Sequence, residues 1–445
     1  MLKKFYIKTF GCQMNEYDSD KISDLMQSVN FVRSETPTDV DCVIFNTCHI
    51  REKATEKVYS DIGKIKKLNR YKKKPIFVLA GCVAQAQGEE IFKRTKDVDI
   101  VVGPQSYHRL PEQVKNFFER KENFSDTNFE LIEKFDTLDN LKSFRKSKIA
   151  EFLTIQEGCD KFCSFCVVPY TRGAEFSRSF NSILNEAKKL ADNGVKEITL
   201  LGQNVSAYKF VDGNKTYNLA KLIDEIAKIN SILRIRFTTS HPNDMDQELI
   251  DAFKYQKKLM PQLHLPIQSG SNKILKLMNR KHTREYYLDL INKFKEVNPE
   301  MEFSSDFIIG FPGEEEQDFN DTLDIINKVN FVSSYSFIYS QRPGTPAVER
   351  DQVLLDTCKN RLLELQNLLA DIQLKKNQQL VGKKIQILVE NKTKKIGQFF
   401  GRSKFMHSVF FNSNQVNDGD LLDIEISSCN KNNLFGVLQK EQIFA

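Results

Sequence analysis

Short apolar runs alternate with helix-spaced stretches through the first 120 residues of the chain. The runs are Phe5-Tyr6-Ile7-Lys8-Thr9-Phe10, Asp41-Cys42-Val43-Ile44-Phe45-Asn46 and Pro75-Ile76-Phe77-Val78-Leu79-Ala80, and that alternation predicts an open parallel sheet flanked by helices. A polar, charge-mixed stretch over 121–148 reads as a connector with little structure of its own. Six further strand-like runs follow with helical patterns between them: Phe152–Ile155, Glu197–Leu201, Arg234–Phe237, Leu263–Ile267, Phe303–Ile309 and Ser334–Tyr339. Six such units predict a partial (β/α)6 barrel, with the full eight-stranded barrel as the second possibility. An amphipathic stretch from Leu354 to Leu380 predicts a long helix whose apolar stripe, including Cys358, Leu362, Leu365 and Leu369, packs on that barrel. Beyond it, Ile385–Val389 and Leu421–Ile426, with a turn at Asn417-Asp418-Gly419, predict a small all-β barrel. The expected division is therefore α/β, with domains at 1–120, 149–378 and 379–445 and the connector at 121–148.

Bulk composition narrows the class only slightly. Lys and Arg number 65 against 59 Asp and Glu, so no polyanion-coating surface is expected globally and local charge has to decide. Locally it does: between Lys383 and Phe411 lie seven basic residues (Lys383, Lys384, Lys392, Lys394, Lys395, Arg402, Lys404) and one acid, Glu390, interleaved with Phe399, Phe400, Phe405, Phe410 and Phe411. Small barrels with basic and aromatic faces bind single-stranded or looped nucleic acid, whereas some of these phenylalanines must be core. A second basic run, Lys64 to Lys74, reads as a solvated helix face. No apolar run reaches about 18 residues, so no membrane helix is expected. No secretory signal is expected either.

The nine cysteines carry the chemistry. Cys159, Cys163 and Cys166 are spaced C-x3-C-x2-C. Three local thiolates can hold a [4Fe-4S] cube, which normally takes four, so that one iron keeps an open site. Structural zinc is disfavoured because only Cys163 and Cys166 form a knuckle-like pair, and a disulfide framework is disfavoured by the sparse, odd count. Cys12, Cys48 and Cys82 each follow one of the first three strands. In open α/β sheets the ligand crevice lies beyond the carboxyl ends of the strands, so these three are expected to converge as ligands, the alternative being three unrelated buried thiols. Cys42 begins a strand at the opposite end, and Cys358 and Cys429 read as packing and incidental residues. Free thiols and an oxygen-sensitive cluster point to a reducing compartment, hence the cytoplasm.

The carboxyl ends of the barrel strands should carry the pocket. The candidates are Gln203, Asn204, Ser240, Gln268, Ser269 and Gly310, which offer amide, hydroxyl and backbone groups. His241 and His264 read as structural hydrogen-bonding residues.

The triplet, with Phe165 just before its last cysteine, resembles the cluster motif of the radical S-adenosylmethionine superfamily. Over nearly the whole length the chain is similar to the methylthiotransferase family, whose members carry an N-terminal cluster domain, a radical core and a C-terminal TRAM domain. The motifs Thr9-Phe10-Gly11-Cys12-Gln13-Met14-Asn15-Glu16, Asn46-Thr47-Cys48-His49-Ile50-Arg51-Glu52 and His264-Leu265-Pro266-Ile267-Gln268-Ser269-Gly270-Ser271 carry that resemblance. It implies two [4Fe-4S] clusters, one on Cys159, Cys163 and Cys166 that cleaves S-adenosylmethionine, and an auxiliary one on Cys12, Cys48 and Cys82 that delivers sulfur. The superfamily's pocket residues, at the six candidate positions, hold S-adenosylmethionine. The implied reaction adds a methylthio group to C2 of N6-isopentenyladenosine next to the anticodon, using two S-adenosylmethionine molecules. The implied partners are a tRNA anticodon stem-loop and an electron donor such as flavodoxin or ferredoxin, with the enzyme a monomer. Sister enzymes acting on threonylcarbamoyl-adenosine or on a ribosomal-protein aspartate are the alternatives within the family. A non-catalytic iron-sulfur RNA-binding regulator is the alternative outside it.

Overall fold

The computed structural model describes residues 2–49, 52–69, 74–129, 131–144 and 147–439, with the backbone alone for 52–55. The chain folds into two compact units, one of Met1–Lys146, Gln156–Phe162 and Cys166–Arg178, the other of Ser147–Ile155, Cys163–Phe165 and Ser179–Ala445.

In the first unit, strands β1 (Lys3–Thr9), β2 (Phe31–Arg33), β3 (Cys42–Thr47), β4 (Ile76–Gly81), β5 (Ile100–Val102) and β6 (Phe124–Asp126) alternate with helices α1 (Gln13–Ser28), α2 (Glu52–Leu68), α3 (Cys82–Gln87), α4 (Glu90–Arg94), α5 (Leu110–Arg120) and α6 (Leu131–Asp139). All pairings are parallel, in the order β2-β1-β3-β4-β5-β6. Every position of β3 and β4 is buried, as central parallel strands covered on both faces require. Their side chains alternate between two cores: Cys42, Ile44, Ile76 and Val78 face one side, Val43, Phe45, Phe77 and Leu79 the other. The strand order reverses between β1 and β3, which puts the ligand crevice of such a sheet at the ends of those two strands.

The stretch expected to be a connector is instead part of this unit. It supplies the edge strand β6 and helix α6, whose Phe135 and Leu138 enter the core. Leu131, Phe135 and Leu138 stand at helical spacing, but acidic neighbours hide the pattern. The short β8 (Gln156–Glu157) and β9 (Phe176–Ser177) pair with each other, and α7 (Val168–Arg172) lies between them.

The second unit contains β7 (Ala150–Thr154), β10 (Glu197–Leu201) and β13 (Arg234–Thr238) in one parallel sheet, and β14 (Gln262–His264), β15 (Glu302–Ile309) and β16 (Ser333–Ile338) in another. A single parallel bridge, Ile235 to Leu259, lies beyond β13 on the side of β14. The result is the six-stranded partial barrel expected from the pattern, not an eight-stranded one. An antiparallel hairpin, β11 (Lys209–Asp212) and β12 (Lys215–Asn218), follows β10. Helices α8 (Phe180–Asp192), α9 (Leu219–Ala227), α10 (Gln247–Tyr255), α11 (Asn272–Leu277), α12 (Arg284–Val297) and α13 (Glu316–Val329) intervene, and one core joins them to the strands. Helix α14 (Leu355–Gln378) buries Leu365 in that core, with Leu362, Leu368, Leu369 and Ile372 packed against it.

Strands β17 (Lys384–Lys392), β18 (Gln398–Ser403), β19 (Ser408–Asn412), β20 (Leu421–Cys429) and β21 (Asn433–Leu438) then close a barrel in the order β17-β18-β19-β21-β20. Two buried arginines at the start of β13 hold it to the (β/α)6 barrel. Arg234 donates to Arg402 O at 2.7 Å, and Arg236 donates to Lys404 O and Ser403 O at 2.9 and 3.0 Å. Arg236 Nε also donates to Glu197 Oε1 at 2.8 Å. Arg236→Ala would leave Glu197 buried without its closest cation, a loss worth about 3–5 kcal/mol. A lower thermal midpoint, with the β-barrel segment protected less from hydrogen exchange, is the expected result.

Candidate metal centres

Cys12 closes the turn after β1 and stands directly before α1, its carbonyl accepting the Asn15 and Glu16 amides at 3.0 and 3.2 Å. The fully buried Asn15 ties that turn down, donating from Nδ2 to Phe10 O at 2.8 Å, while Asn46 Nδ2 donates to Asn15 O at 2.9 Å. These bonds join the end of β1 to the end of β3, where Cys48 follows at once. Gly11 makes the approach possible: its φ is +102°, and a Cβ there would stand 2.2 Å from Cys48 Cβ and 2.7 Å from its sulfur. Cys82 begins α3 directly after β4. Gly11→Ala combines a left-handed backbone with overpacking, each costing about 1–3 kcal/mol. The expected outcome is a lower melting temperature and loss of iron from this site, read by thermal melting and iron assay.

The electrostatics favour thiolate at Cys12. A hydrogen bond with Cys48, helped by the Arg172 guanidinium and the Asn15 amide, outweighs desolvation and lowers the Cys12 thiol to about 6. Desolvation pushes the Cys82 thiol up, against the pull of Arg172. Cys42, at the other end of β3, is pushed up by complete burial, which suits an inert core thiol. Arg172 itself is buried, with Nη2 donating to Asp18 Oδ2 at 2.6 Å and to Asn15 Oδ1 at 3.2 Å.

The triplet cysteines occupy the loop between β8 and α7. In the first unit, Cys159 N donates to Gly173 O at 3.1 Å. The preceding Glu157 is fully buried: burial pushes its carboxyl up, and Lys134 and Arg172 more than reverse that, with Lys134 Nζ at 2.6 Å. In the second unit, Arg280 Nη1 donates to Cys163 Sγ at 3.8 Å. Ser164 is anchored by its amide to Met278 O at 3.0 Å and by Oγ to Leu277 O at 2.8 Å, and the Phe165 ring meets Phe311 edge-on at 6.4 Å. Arg172 and Arg280 were not legible as site residues, because a lone arginine after a short helix has no motif of its own.

None of the nine cysteines is in a disulfide. Among the described residues no three Cys, His, Asp or Glu groups converge tightly enough for one metal ion. A cube makes a different demand, since its thiolates sit on separate irons. For the set on β1, β3 and β4, strand-end thiols, a thiol drawn toward thiolate and a buried Arg172 Nη1 with no hydrogen-bond partner fit a polyanionic cluster.

The six pocket candidates divide by how their polar groups are used. Asn204 accepts the His241 amide at 3.0 Å and donates to Asp244 Oδ2 at 2.7 Å, Ser269 accepts the Ser271 amide at 3.2 Å, and both are buried. Gly310 has φ +68° and faces Cys358 of α14, whose sulfur would stand 2.2 Å from an added Cβ. Ser240 Oγ is buried without a hydrogen-bond partner. Gln268 holds φ +78°, a strained conformation for a residue with a side chain, while its backbone bridges to Asp306 O and Ile308 N at 3.0 and 2.9 Å. Gln203 follows β10 and is half-buried. His264 is structural, with Nδ1 at 3.0 Å from Ser304 Oγ.

On the closed β-barrel, register sorts the phenylalanines. Phe399 and Phe411 are core. Phe400, Phe410 and Phe435 are directly paired across β18, β19 and β21 and form an outer ladder with ring centroids 5.2 and 6.0 Å apart. Arg402 lies over Phe400 at 5.0 Å. Of the second basic run, Lys64, Lys66 and Lys74 pair with Asp61, Asp97 and Asp99, as a solvated face would, and residues 70–73 lie outside the described residues.

Comparison with known proteins agrees with this layout. The Radical SAM superfamily model matches residues 153–326, that of the Uncharacterized protein family UPF0004 residues 4–103, and that of the TRAM domain residues 378–438. The chain is 53% identical over 438 residues, 98% of both chains, to the tRNA-2-methylthio-N(6)-dimethylallyladenosine synthase of Pelagibacter ubique. It is 49% identical to the protein of the same name from Zymomonas mobilis, over 100% of this chain and 98% of that one. The radical S-adenosylmethionine methyltransferase TsrM from Kitasatospora setae, solved with tryptophan substrate and an S-adenosylmethionine analog, has a similar fold: TM-score 0.54 at 13% identity, over 78% of this chain and 75% of that one. No described helix is long and apolar enough to cross a membrane. With the radical model running from the end of β7 through β10, β13, β14 and β15 and the TRAM model lying on the closed barrel, and with relatives this similar from end to end, the chain belongs to the tRNA-2-methylthio-N(6)-dimethylallyladenosine synthase family.

Proposed function

We propose that this chain is a two-cluster radical S-adenosylmethionine enzyme that replaces the C2 hydrogen of N6-isopentenyladenosine, beside the anticodon of tRNA, with a methylthio group. The observation that carries the reading is the pair of three-cysteine sets, one in the loop after β8 and one at the ends of β1, β3 and β4. A C2–H bond of an adenine ring yields to neither a general base nor a nucleophile, so the bound cofactors must do the hard chemistry. When bound, a reduced cluster with an open iron supplies one electron to S-adenosylmethionine, which parts into methionine and a 5′-deoxyadenosyl radical able to remove that hydrogen. The auxiliary cluster that Cys12, Cys48 and Cys82 would hold would supply the sulfur and take up the electron released when it bonds to C2, and a second S-adenosylmethionine would methylate that sulfur and leave as S-adenosylhomocysteine.

The chain's own residues bind and orient. Cys159, Cys163 and Cys166 hold the radical-generating cluster, and Arg280 donates to the Cys163 sulfur. Cys12, Cys48 and Cys82 hold the auxiliary one. Ser240, Gln203 and Gln268 are the side chains we place against S-adenosylmethionine, with Asn204, Ser269 and Gly310 shaping the wall behind them. We keep 149–378 and 379–445 as the second and third domains and extend the first from 1–120 through 144, because the strand and helix of that stretch complete its core. A small electron-transfer protein of the flavodoxin or ferredoxin class supplies the electrons to a monomeric, cytoplasmic enzyme.

The tRNA is gripped by the closed β-barrel, whose outer Phe400, Phe410 and Phe435 offer stacking faces beside Arg402. That barrel is fixed to the starts of β10 and β13, whereas the pocket residues follow their ends. Five-residue strands place the two levels about 17 Å apart, a span that a stem-loop covers. Phe400→Ala and Phe410→Ala should each weaken binding of the anticodon stem-loop by about 1–3 kcal/mol, measured by fluorescence anisotropy at fixed salt, with no loss of S-adenosylmethionine cleavage.

The overall reading is tested by incubating the reconstituted protein with isopentenylated tRNA, S-adenosylmethionine and a reductant, then identifying the nucleosides by mass spectrometry. Conversion of isopentenyladenosine to its 2-methylthio derivative is expected. Modification of threonylcarbamoyl-adenosine instead would point to a sister activity, and failure to form any 5′-deoxyadenosine would point to a non-catalytic RNA-binding regulator.

A further inference from the structure

We propose that Arg172 is a positioning residue for the cluster on Cys12, Cys48 and Cys82, holding a buried hydrogen-bond donor against the Cys82 thiolate and thereby setting that cluster's reduction potential. The inference rests on the reading that these three cysteines carry a cluster.

The guanidinium is fixed from several sides. Arg172 ends α7, its carbonyl accepts Gln105 Nε2 at 3.0 Å, and the residue is 2% exposed. Nη2 is fully used, donating to Asp18 at 2.6 Å and Asn15 at 3.2 Å. Nη1 is not: it lies 3.5 Å from Glu157 Oε2 and makes no hydrogen bond. A buried charged donor left unmade is costly, and native proteins rarely leave one without an acceptor. Helix α7, which ends at Arg172, packs on α3, which begins at Cys82, and the guanidinium pulls the Cys82 thiol down against its burial. A cluster thiolate is the acceptor this donor lacks.

The buried network holds two cations, Arg172 and Lys134, and two carboxylates, Asp18 and Glu157. It is therefore neutral before any thiolate or cluster charge is added. Asp18 and Asn15 belong to α1, the helix that starts directly after Cys12, so the same helix presents the ligand and fixes the guanidinium. Cluster potentials respond to hydrogen bonds on sulfur and to nearby net charge. Reduction adds one negative charge to the cluster, so a cation at the sulfur raises the potential and an anion lowers it.

Two substitutions with opposite signs follow. In the full chain carrying Cys159→Ala, Cys163→Ala and Cys166→Ala, the auxiliary cluster alone reports in a redox titration followed by electron paramagnetic resonance. There, Arg172→Gln should shift the midpoint potential downward and Asp18→Asn upward, while Arg172→Lys, which keeps the charge but not the planar fork, should fall between Arg172→Gln and the parent. Unchanged potentials in Arg172→Gln and Asp18→Asn with the cluster bound would overturn the inference. Should Arg172→Gln fail to hold a cluster, Asp18→Asn decides: an upward shift supports the assignment, and no shift or a downward one ends it. Absence of iron from the parent triple variant would instead sink the cluster reading itself, and the inference with it.

Discussion

Cys12→Ala is expected to leave S-adenosylmethionine cleavage running and to abolish thiolation. The substitution removes one of three thiols from the ends of β1, β3 and β4, one that Cys48, Arg172 and Asn15 draw toward thiolate. Metal affinity depends on the thiolate form, so its loss should empty the auxiliary site. The triplet loop keeps all three of its own cysteines. Reduced protein should therefore still form 5′-deoxyadenosine from S-adenosylmethionine, while methylthiolated nucleoside falls to background. Chromatography of both products from one reaction decides it, and persistent thiolation would show that the two sets do not divide the work in this way.

Cys163→Ala should do more, bringing 5′-deoxyadenosine itself to background and thiolation with it. Cys163 is the buried member of the triplet, and Arg280 Nη1 approaches its sulfur at 3.8 Å while Nη2 is fixed on Pro266 O at 2.5 Å. With two thiolates left, a cube lacks a ligand for a second iron, and the electron path to S-adenosylmethionine closes. Iron at the auxiliary site should survive. The pair of variants thus places cleavage upstream of thiolation, because one loses a single product and the other loses both.

How far the sequence revealed this fold depended on element length and on burial of both faces. Strands β1, β3 and β4 were legible because continuous apolar runs mark sheet interiors. Strands β2, β5 and β6 have three residues each, too few for any period to show. The same shortness hid the edge of the first sheet inside an apparent connector. The six cysteines proposed as cluster ligands stand out in the sequence from their spacing and from their place after strands. Arg172 and Arg280 do not, since tertiary packing alone sets their partners. Asn204 and Ser269 show the complementary limit: an amide or hydroxyl after a strand looks the same in sequence whether it awaits a ligand or serves a neighbouring backbone group, as both do here. Among the aromatics of the closed barrel, alternation implied only that some are core, and the registered pairing of β18, β19 and β21 is what sets Phe400, Phe410 and Phe435 in one outer ladder.

The central claim is that one chain holds two clusters on two separate cysteine sets, and the most direct test is iron and acid-labile sulfide per chain, measured anaerobically after reconstitution. The parent protein should bind about eight irons, and the Cys159→Ala, Cys163→Ala, Cys166→Ala variant about four, as two cubes and one cube require. About four irons in the parent and none in the variant would contradict the account.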